Sequence, residues 1–276
     1  MSHPDMIRPE QIEEWAEKTP WTDPRQVEQD MVVSRAVADI FSHPEIQDRI
    51  YFIGGTALNK IHMDKPSRFS EDIDLIQVRD KDLAPTIDAI RFGLDPWLNK
   101  PVREGQERGK SKSYIYKLYY RLPSQENPKK PVQLKIEINT RDHDHVFGLE
   151  KKPYEMSSSW HSGNAIVPIP NVHELIGRKM NALYERSRGR DLFDIGHAIR
   201  EGIADPEWVI EALNKLRENR GAEPLSREDF EARLRSRVDN VAFKADMDDL
   251  MPDDQKQDIA ADTALVIHHL VERLPT

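Results

Sequence analysis

Two aspartates one residue apart are the residues of this chain whose types and spacing could most directly carry chemistry. Asp72 and Asp74 lie in a segment that predicts a strand. On a strand, residues two apart point to the same face, roughly 6.5–7 Å from each other. Their carboxylates could share a pair of divalent cations, because Mg²⁺ prefers carboxylate oxygens in proteins.

A glycine turn, Gly54-Gly55-Thr56, precedes the two aspartates and follows a short apolar run over 50–53. Glycines lack a Cβ, so their backbone N–H groups can approach a phosphate closely. The helix expected at about 57–62 would place its positive end near the same phosphate. A phosphate-binding turn beside a metal-binding pair predicts nucleotidyl transfer, in which a divalent cation neutralises the triphosphate.

A third carboxylate, Glu137, lies on a later segment, Val132 to Asn139, whose alternation of apolar and polar residues predicts a strand. If this strand joins the same sheet, Glu137 completes a carboxylate triad with Asp72 and Asp74. Each feature alone is common in ordinary proteins, since a lone Asp-x-Asp is usually a strand edge. The ordered set of turn, helix, aspartate pair and polar-face glutamate is what indicates a site.

Hydrophobic periodicity predicts the elements that would position these residues. Strands are predicted over 50–53, 72–78, 113–122 and 132–139, with helices over 24–41, 57–62 and 82–98. Asp23 and Pro24 fit the N-cap and first position of the helix at 24. From Asn171 onward the pattern predicts helices over 171–187, 190–201, 206–219, 226–237 and 257–273. Asn171 and Glu174 fit a capping box at the start of the first of these helices.

We therefore expect an α+β fold with an α/β core around a mixed sheet. The predicted domains are a nucleotidyltransferase core with an N-terminal helix over residues 1–165 and a mostly helical domain over residues 166–276. The register between residues 141 and 168 is not predicted.

Composition limits the class of protein further. The chain has no cysteine, which excludes a disulfide framework and a thiolate metal site. Its N-terminal segment is polar, unlike a signal peptide, and no stretch approaches the roughly 18 apolar residues of a transmembrane helix. We expect a cytoplasmic protein with no membrane partner.

Charge is distributed unevenly along a chain whose net charge is −9. Residues 100–135 hold ten Lys or Arg residues against three Glu. This basic segment favours one directed contact with an anion such as RNA, with a solvated lysine-rich loop as an equal alternative. Its tyrosines could stack on RNA bases or, in part, pack in the core: Tyr114, Tyr116, Tyr119 and Tyr120.

Two further clusters of charged residues are more typical of a solvated surface than of a binding site. The run DHDH at 142–145 could bind a metal, but a surface loop is the stronger interpretation. The aspartates between 246 and 258 could mimic a nucleic acid, but a solvated surface is again favoured.

Four segments, FIGGTALNK, RFSEDIDL, KIEIN and RKMNALYERSRGRDLFDI, resemble the motif regions of the AbiEii-type nucleotidyltransferase toxins. This family includes the AbiEii/AbiGii and MenT groups of toxin–antitoxin systems, within the DNA polymerase β-like nucleotidyltransferase superfamily. The similarity extends over about residues 50 to 200, and beyond Glu201 the chain matches only as helices.

The resemblance implies roles for the residues of the first two motifs. Gly54, Gly55 and Thr56 take the position of the glycine–serine phosphate loop, and threonine keeps the hydroxyl of the usual serine. Ser70 matches the serine that precedes the aspartate pair. Arg68 could also meet phosphate, although surface solubility explains it nearly as well.

The resemblance also implies roles for the later motifs. The three carboxylates match the metal ligands, with Glu137 as the third. Lys179 matches a lysine that contacts the nucleotide phosphates, and Asp191 matches the last motif, so the helical domain would contribute both to the site. Lys179 could instead extend outward from an apolar stripe, and Asp191 could be only a helix-terminal charge. We favour Asp191 over Asp194 as the site residue.

Together the motifs imply transfer of a nucleoside monophosphate from an NTP to an acceptor hydroxyl, with Mg²⁺ or Mn²⁺ as cofactor. The resemblance implies the 3′ end of tRNA as the acceptor, a block of translation and growth as the result, and a cognate antitoxin as partner. Two alternatives remain. One is a small-molecule nucleotidyltransferase of the antibiotic-modifying kind, and the other is a binding module that has lost turnover.

Overall fold

The computed structural model describes residues 6–108, 114–248, 250–251 and 256–276. Some residues of the basic segment and of the acidic cluster lie outside these ranges: Lys110, Lys112, Asp249, Asp253 and Asp254. The chain divides into two compact units. The first comprises Met1–His143 and Leu149–Ile169, and the second comprises Asp144–Gly148 and Pro170–Thr276.

The first unit combines helices with two sheets. Its helices are α1 (Pro9–Ala16), α2 (Pro24–Ser42), α3 (Gly54–Ala57), which continues as a π-helical turn over Leu58–His62, and α4 (Ala84–Leu98). Its strands are β1 (Ile50–Ile53), β2 (Asp72–Gln77), β3 (Arg103–Arg108), β4 (Tyr114–Leu122), β5 (Val132–Asn139), β6 (Leu149–Ser157) and β7 (Ser162–Pro170). Strands β6 and β7 form a separate two-stranded sheet.

The larger sheet has the strand order β1-β2-β5-β4-β3. Strand β2 is antiparallel to β1 and parallel to β5, and β4 is antiparallel to both β5 and β3. In the parallel pair, Asp72 lies opposite Lys135 and Asp74 lies opposite Glu137. On β5 the apolar residues are buried and the alternate residues are partly or fully exposed, as the period-two pattern predicts.

Helix α2 packs against the sheet and is buried along most of its length. The carboxylate of Asp23 accepts a hydrogen bond of 2.9 Å from the backbone N–H of Arg25, and Pro24 is the first helical residue. The predicted N-cap is therefore confirmed. Helix α2 buries polar side chains as well as apolar ones, which indicates a structured polar network inside the unit.

The second unit is helical. Its elements are α5 (Val172–Glu185), α6 (Gly189–Arg200), α7 (Pro206–Asn219), α8 (Arg227–Val238), α9 (Val241–Ala245), α10 (Ile259–His269) and a 3₁₀ turn over Val271–Arg273. The predicted helices are all present, and the apolar stripe of Ile176, Met180 and Leu183 on α5 is buried. Together with the mixed sheet, these helices confirm the predicted α+β class.

Some elements differ from the sequence prediction. Strand β3 was not predicted because its sequence, REGQER, has no apolar alternation, and β6 and β7 fall in the segment whose register was not predicted. The helix after β1 begins at Gly54, earlier than the predicted residue 57. Among the described residues, none of the helices has both the length and the apolar character that a membrane crossing requires.

The capping box at the start of α5 is only half formed. Asn171 Oδ1 accepts a hydrogen bond of 2.9 Å from the backbone N–H of Glu174. The buried Glu174 carboxylate does not return to the cap, because it accepts hydrogen bonds from the backbone N–H groups of Val146 and Phe147 and from Arg178. Glu174 thus ties the segment 144–148 to the helical unit.

Candidate active site

The three predicted carboxylates lie on one face of the larger sheet. Asp72 and Asp74 are two residues apart on β2, so their side chains share a face. The parallel pairing places Glu137 of β5 directly beside Asp74. All three side chains are partly exposed, with 37% of the Asp72 side chain and 22% of the Glu137 side chain accessible. The sheet therefore presents a carboxylate cluster to solvent.

Two lysines, which the sequence analysis did not assign to the site, neutralise part of this cluster. Lys135 Nζ is 2.6 Å from Asp72 Oδ2 and 3.4 Å from Glu137 Oε1. Lys117 of β4 lies opposite Glu137, with its Nζ 3.2 Å from Oε1. Burial disfavours the charged form of Lys135, but the hydrogen bond to Asp72 and the nearby carboxylates raise its pKa above the ordinary value. The period-two pattern, which puts Lys135 on the same face as Glu137, was a usable signal for it.

The glycine turn lies directly beside Asp74. Gly54 has φ +86°, a conformation that favours glycine. A Cβ atom at Gly54 would be 2.5 Å from Asp74 Oδ2, far inside normal contact distance. The antiparallel pairing of β1 with β2 sets this approach, because it places Ile53, the last residue of β1, opposite Asp74. The turn and the carboxylate cluster thus form one continuous site.

Arg68 packs against the turn. A Cβ atom at Gly55 would lie 2.1 Å from Arg68 Nη2, and Arg68 Nη1 donates a hydrogen bond of 2.9 Å to the carbonyl of Phe69. Only 4% of Arg68 is exposed. Arg68 is therefore buried beside the turn, which contradicts the surface-solubility interpretation of this residue.

Thr56 and Ser70 connect the turn to the start of β2. The Thr56 hydroxyl donates a short hydrogen bond to the carbonyl of Asp72, and its oxygen is 2.6 Å from Ser70 Oγ. Thr56 is only 1% exposed. Because its hydroxyl is engaged in both directions, Thr56 holds the glycine turn at a set position relative to the aspartate pair.

The donor set of the cluster suits a hard divalent cation. In the part of the chain that the structure describes, no group of three or more His, Asp or Glu residues is already arranged as a metal site. Three carboxylates nevertheless share one face, and a lysine ammonium lies between Asp72 and Glu137. The face therefore stabilises a positive charge between two oxygen donors, as Mg²⁺ or Mn²⁺ would require.

The polar face continues from the carboxylates onto β4 and β3. Tyr119 lies opposite Lys135 on one side and Arg103 on the other. The Arg103 guanidinium carbon is 5.2 Å from the centre of the Tyr119 ring, a cation–π distance. Tyr120 instead faces the core and is fully buried, with its hydroxyl donating to Asp95 at 3.1 Å. Of the four tyrosines of β4, Tyr119 thus lies on the same face of the sheet as the carboxylates.

The second unit brings together the two remaining predicted residues. Lys179 of α5 lies 2.5 Å from Asp194 Oδ2 and 3.7 Å from Asp191 Oδ1, both on α6. Asp191 also accepts two hydrogen bonds from Arg186, of 2.8 and 3.0 Å. Lys179, Asp191 and Asp194 are buried. Asp191 and Asp194, three residues apart, share one face of α6 and so can both reach Lys179. Asp194, which the sequence analysis ranked below Asp191, is the nearer partner of Lys179.

The residues of the DHDH run in the first unit make structural contacts. Asn139 Nδ2 donates to Asp142 Oδ2 at 3.2 Å, and His143 Nδ1 is 2.7 Å from the carbonyl oxygen of Gln77. These bonds anchor the chain at the ends of β5 and β2. They agree with the loop interpretation of this run.

Comparison with known proteins adds two findings. The family model described as the nucleotidyl transferase AbiEii toxin of type IV toxin–antitoxin systems matches residues 35–266. The solved structure of MenT4, a nucleotidyltransferase toxin from Mycobacterium tuberculosis H37Rv, is similar in fold, with a TM-score of 0.65 and 17% sequence identity. The match covers 98% of this chain and 91% of that chain. No curated protein matches the chain in sequence at a significant level.

Proposed function

Because this chain belongs to the AbiEii family of nucleotidyltransferase toxins, we propose that it transfers a nucleoside monophosphate from an NTP to the 3′ end of tRNA in a metal-dependent reaction. One observation carries this proposal. Asp74 packs its carboxylate against Gly54 and lies opposite Glu137 in the sheet, so the glycine turn and the carboxylate cluster adjoin at a single residue.

The carboxylates of Asp72, Asp74 and Glu137 would hold Mg²⁺ or Mn²⁺. When bound, the metal neutralises triphosphate charge and favours ionisation of the acceptor hydroxyl. Gly54 and Gly55 would bind phosphate through their backbone N–H groups. Their missing side chains leave room for the Asp74 carboxylate and the Arg68 guanidinium. Thr56, Ser70 and Arg68 would hold the turn in place, and so position the backbone N–H groups that bind the phosphates.

The helical residues have a second role in this proposal. The Lys179 ammonium supplies a positive charge that stabilises the departing pyrophosphate, and Asp191 orients the Lys179 side chain. Asp194 pairs with the same ammonium inside the helical unit, at 2.5 Å. We assign the metal and phosphate contacts to a domain over residues 1–165, and Lys179 with Asp191 to the domain over 166–276.

An RNA acceptor is favoured over a small molecule by the polar face of β4 and β3. Tyr119 offers a ring on which a base can stack, and Arg103, Lys117 and Arg121 offer cations for phosphates on the same face. Stacking on an aromatic side chain contributes about 1–3 kcal/mol per base. Modified tRNA would no longer support translation, so growth would stop unless a cognate antitoxin opposed the reaction.

The test combines labelled substrates with one variant. The protein is incubated with each α-labelled NTP, Mg²⁺ and total tRNA, and the products are separated by size before and after EDTA. We expect label at the 3′ end of tRNA, its loss with EDTA, and a decrease of at least about a hundredfold in Asp72→Ala, because the variant loses a metal ligand.

The controls separate the alternatives. Circular dichroism should show that Asp72→Ala is folded, since this side chain is partly exposed. Label on a small acceptor would support the antibiotic-modifying alternative, and no label with any NTP would support the binding module. Undiminished transfer in the folded variant would contradict the site assignment.

A further inference from the structure

Lys135 occupies the place between the carboxylates where a divalent cation would bind. Its Nζ is 2.6 Å from Asp72 Oδ2 and 3.4 Å from Glu137 Oε1. The register of the sheet sets this position, because Lys135 lies opposite Asp72 in the parallel pair and two residues before Glu137 on the same strand.

The charges of the cluster leave little attraction for a second cation while Lys135 remains there. Three carboxylates face the two ammonium groups of Lys135 and Lys117 on one side of the sheet. Mg²⁺ binds carboxylate oxygens at about 2.0–2.1 Å. A cation at that distance from the Asp72 oxygen would be in strong repulsion with an ammonium 2.6 Å from the same atom.

We propose that Lys135 is an internal counter-cation that competes with the divalent metal for Asp72 and Glu137 and leaves them when the metal binds. The inference rests on the metal site of the proposed function. The flexible four-carbon stem of lysine allows its ammonium to move while the backbone stays paired in the sheet. The displaced ammonium remains at the site, where it can bind a triphosphate oxygen.

Lys117 provides a comparison because it is a second lysine that contacts Glu137 on the same sheet face. Its Nζ is 3.2 Å from Glu137 Oε1, and Lys117 lies on β4, on the other side of β5 from Asp72. Removing Lys117 would change the charge of the cluster, whereas removing Lys135 would change the charge and also clear the position between Asp72 and Glu137. Comparing the two variants separates these effects.

The competition is tested by measuring Mn²⁺ binding directly, by calorimetry and by the EPR signal of free Mn²⁺, without nucleotide. Lys135→Met should bind Mn²⁺ about two- to fivefold more tightly than the wild type, the factor expected for losing a partly exposed ion pair. Lys135→Arg should bind close to wild type, and Lys117→Met should change the affinity less than Lys135→Met. Mn²⁺ should also raise the melting temperature of Lys135→Met more than that of the wild type.

The outcomes distinguish the two proposals. Weaker or unchanged Mn²⁺ binding by Lys135→Met would overturn the competition, because a lysine that merely positions the carboxylates would weaken the site when removed. Asp72→Asn serves as the reference for the metal site itself. If wild-type binding did not depend on Asp72, the proposed metal site would fail, and this inference with it.

Discussion

Gly54 and Asp74 are in direct contact, with Oδ2 of the aspartate 2.5 Å from where a Cβ on the glycine would lie. The contact joins the first residue after strand β1 to the middle of β2. Neither a larger residue at 54 nor a shifted register at 74 is compatible with it. It makes the glycine a requirement of geometry at the site.

We expect Gly54→Ala to lower nucleotidyl transfer at least about a hundredfold. The new methyl group would displace the Asp74 carboxylate, and misplacing a reacting group by about 1 Å costs about a hundredfold in rate. A matched control is Gly221→Ala, since Gly221 also has a positive φ, +64°, but no neighbour near the added Cβ. The control should lose stability, by about 1–3 kcal/mol in the free energy of unfolding, and keep its activity. Full transfer by Gly54→Ala would show that the contact is not needed.

Removing Lys179 should affect catalysis and stability separately. Lys179→Met would leave the carboxylates of Asp191 and Asp194 buried without its charge, so the free energy of unfolding should fall by about 3–5 kcal/mol. Transfer should fall at least about a hundredfold. The double variant Lys179→Met/Asp194→Asn removes one of the buried charges and should recover part of the stability without recovering activity. Recovery of both would mean that Lys179 is purely structural.

Tyr119 tests the RNA-binding face. Tyr119→Ala should raise KM for tRNA about five- to 150-fold, the factor that corresponds to losing about 1–3 kcal/mol of stacking. Tyr119→Phe keeps the ring and should bind tRNA nearly as the wild type does. NTP binding, measured without tRNA, should be the same in all three proteins. An unchanged KM in the alanine variant would remove the support that this face gives to an RNA acceptor.

Lys60, in the π-helical turn that follows the glycines, binds helix α2 in the protein interior. Its Nζ is 2.8 Å from both Asp30 Oδ1 and Ser34 Oγ. Burial disfavours its charged form, yet the charge of Asp30 raises the pKa of Lys60 above the ordinary value. Lys60→Met would leave Asp30 as a buried charge without its cation, so urea unfolding should show a loss of about 3–5 kcal/mol.

The exposed pair of Lys152 and Glu150 provides the control for Lys60. These groups are 2.9 Å apart, and both side chains are more than 40% exposed. Lys152→Met should therefore change the free energy of unfolding by less than about 1 kcal/mol. Equal losses in the free energy of unfolding of the two variants would show that burial does not increase the contribution of the Lys60–Asp30 pair to stability.

Much of the fold and the family could be predicted because their signals are local. The strands carrying Asp72, Asp74 and Glu137 have clear alternation, and the helices after Asn171 have clear apolar stripes; the structure confirms both. The family match likewise confirms the resemblance drawn from four short motifs. Capping residues and a proline marked the starts of α2 and α5 for the same reason, since each acts on its own few neighbours. The roles assigned to individual site residues stay predictions.

Other features depended on which distant residues become neighbours. The sequence placed Glu137 on a polar strand face, but strand order and register decided that Lys135 would meet Asp72 and that Lys117 would meet Glu137. Tertiary packing buried Arg68 beside Gly55, and helix packing brought Asp194 closer to Lys179 than Asp191. Side-chain types and periodicity thus determined the candidate chemistry and the elements that carry it. The charge balance of the site arises only when strands far apart in the chain pair, because electrostatic interactions depend on distance in space and not on separation along the sequence.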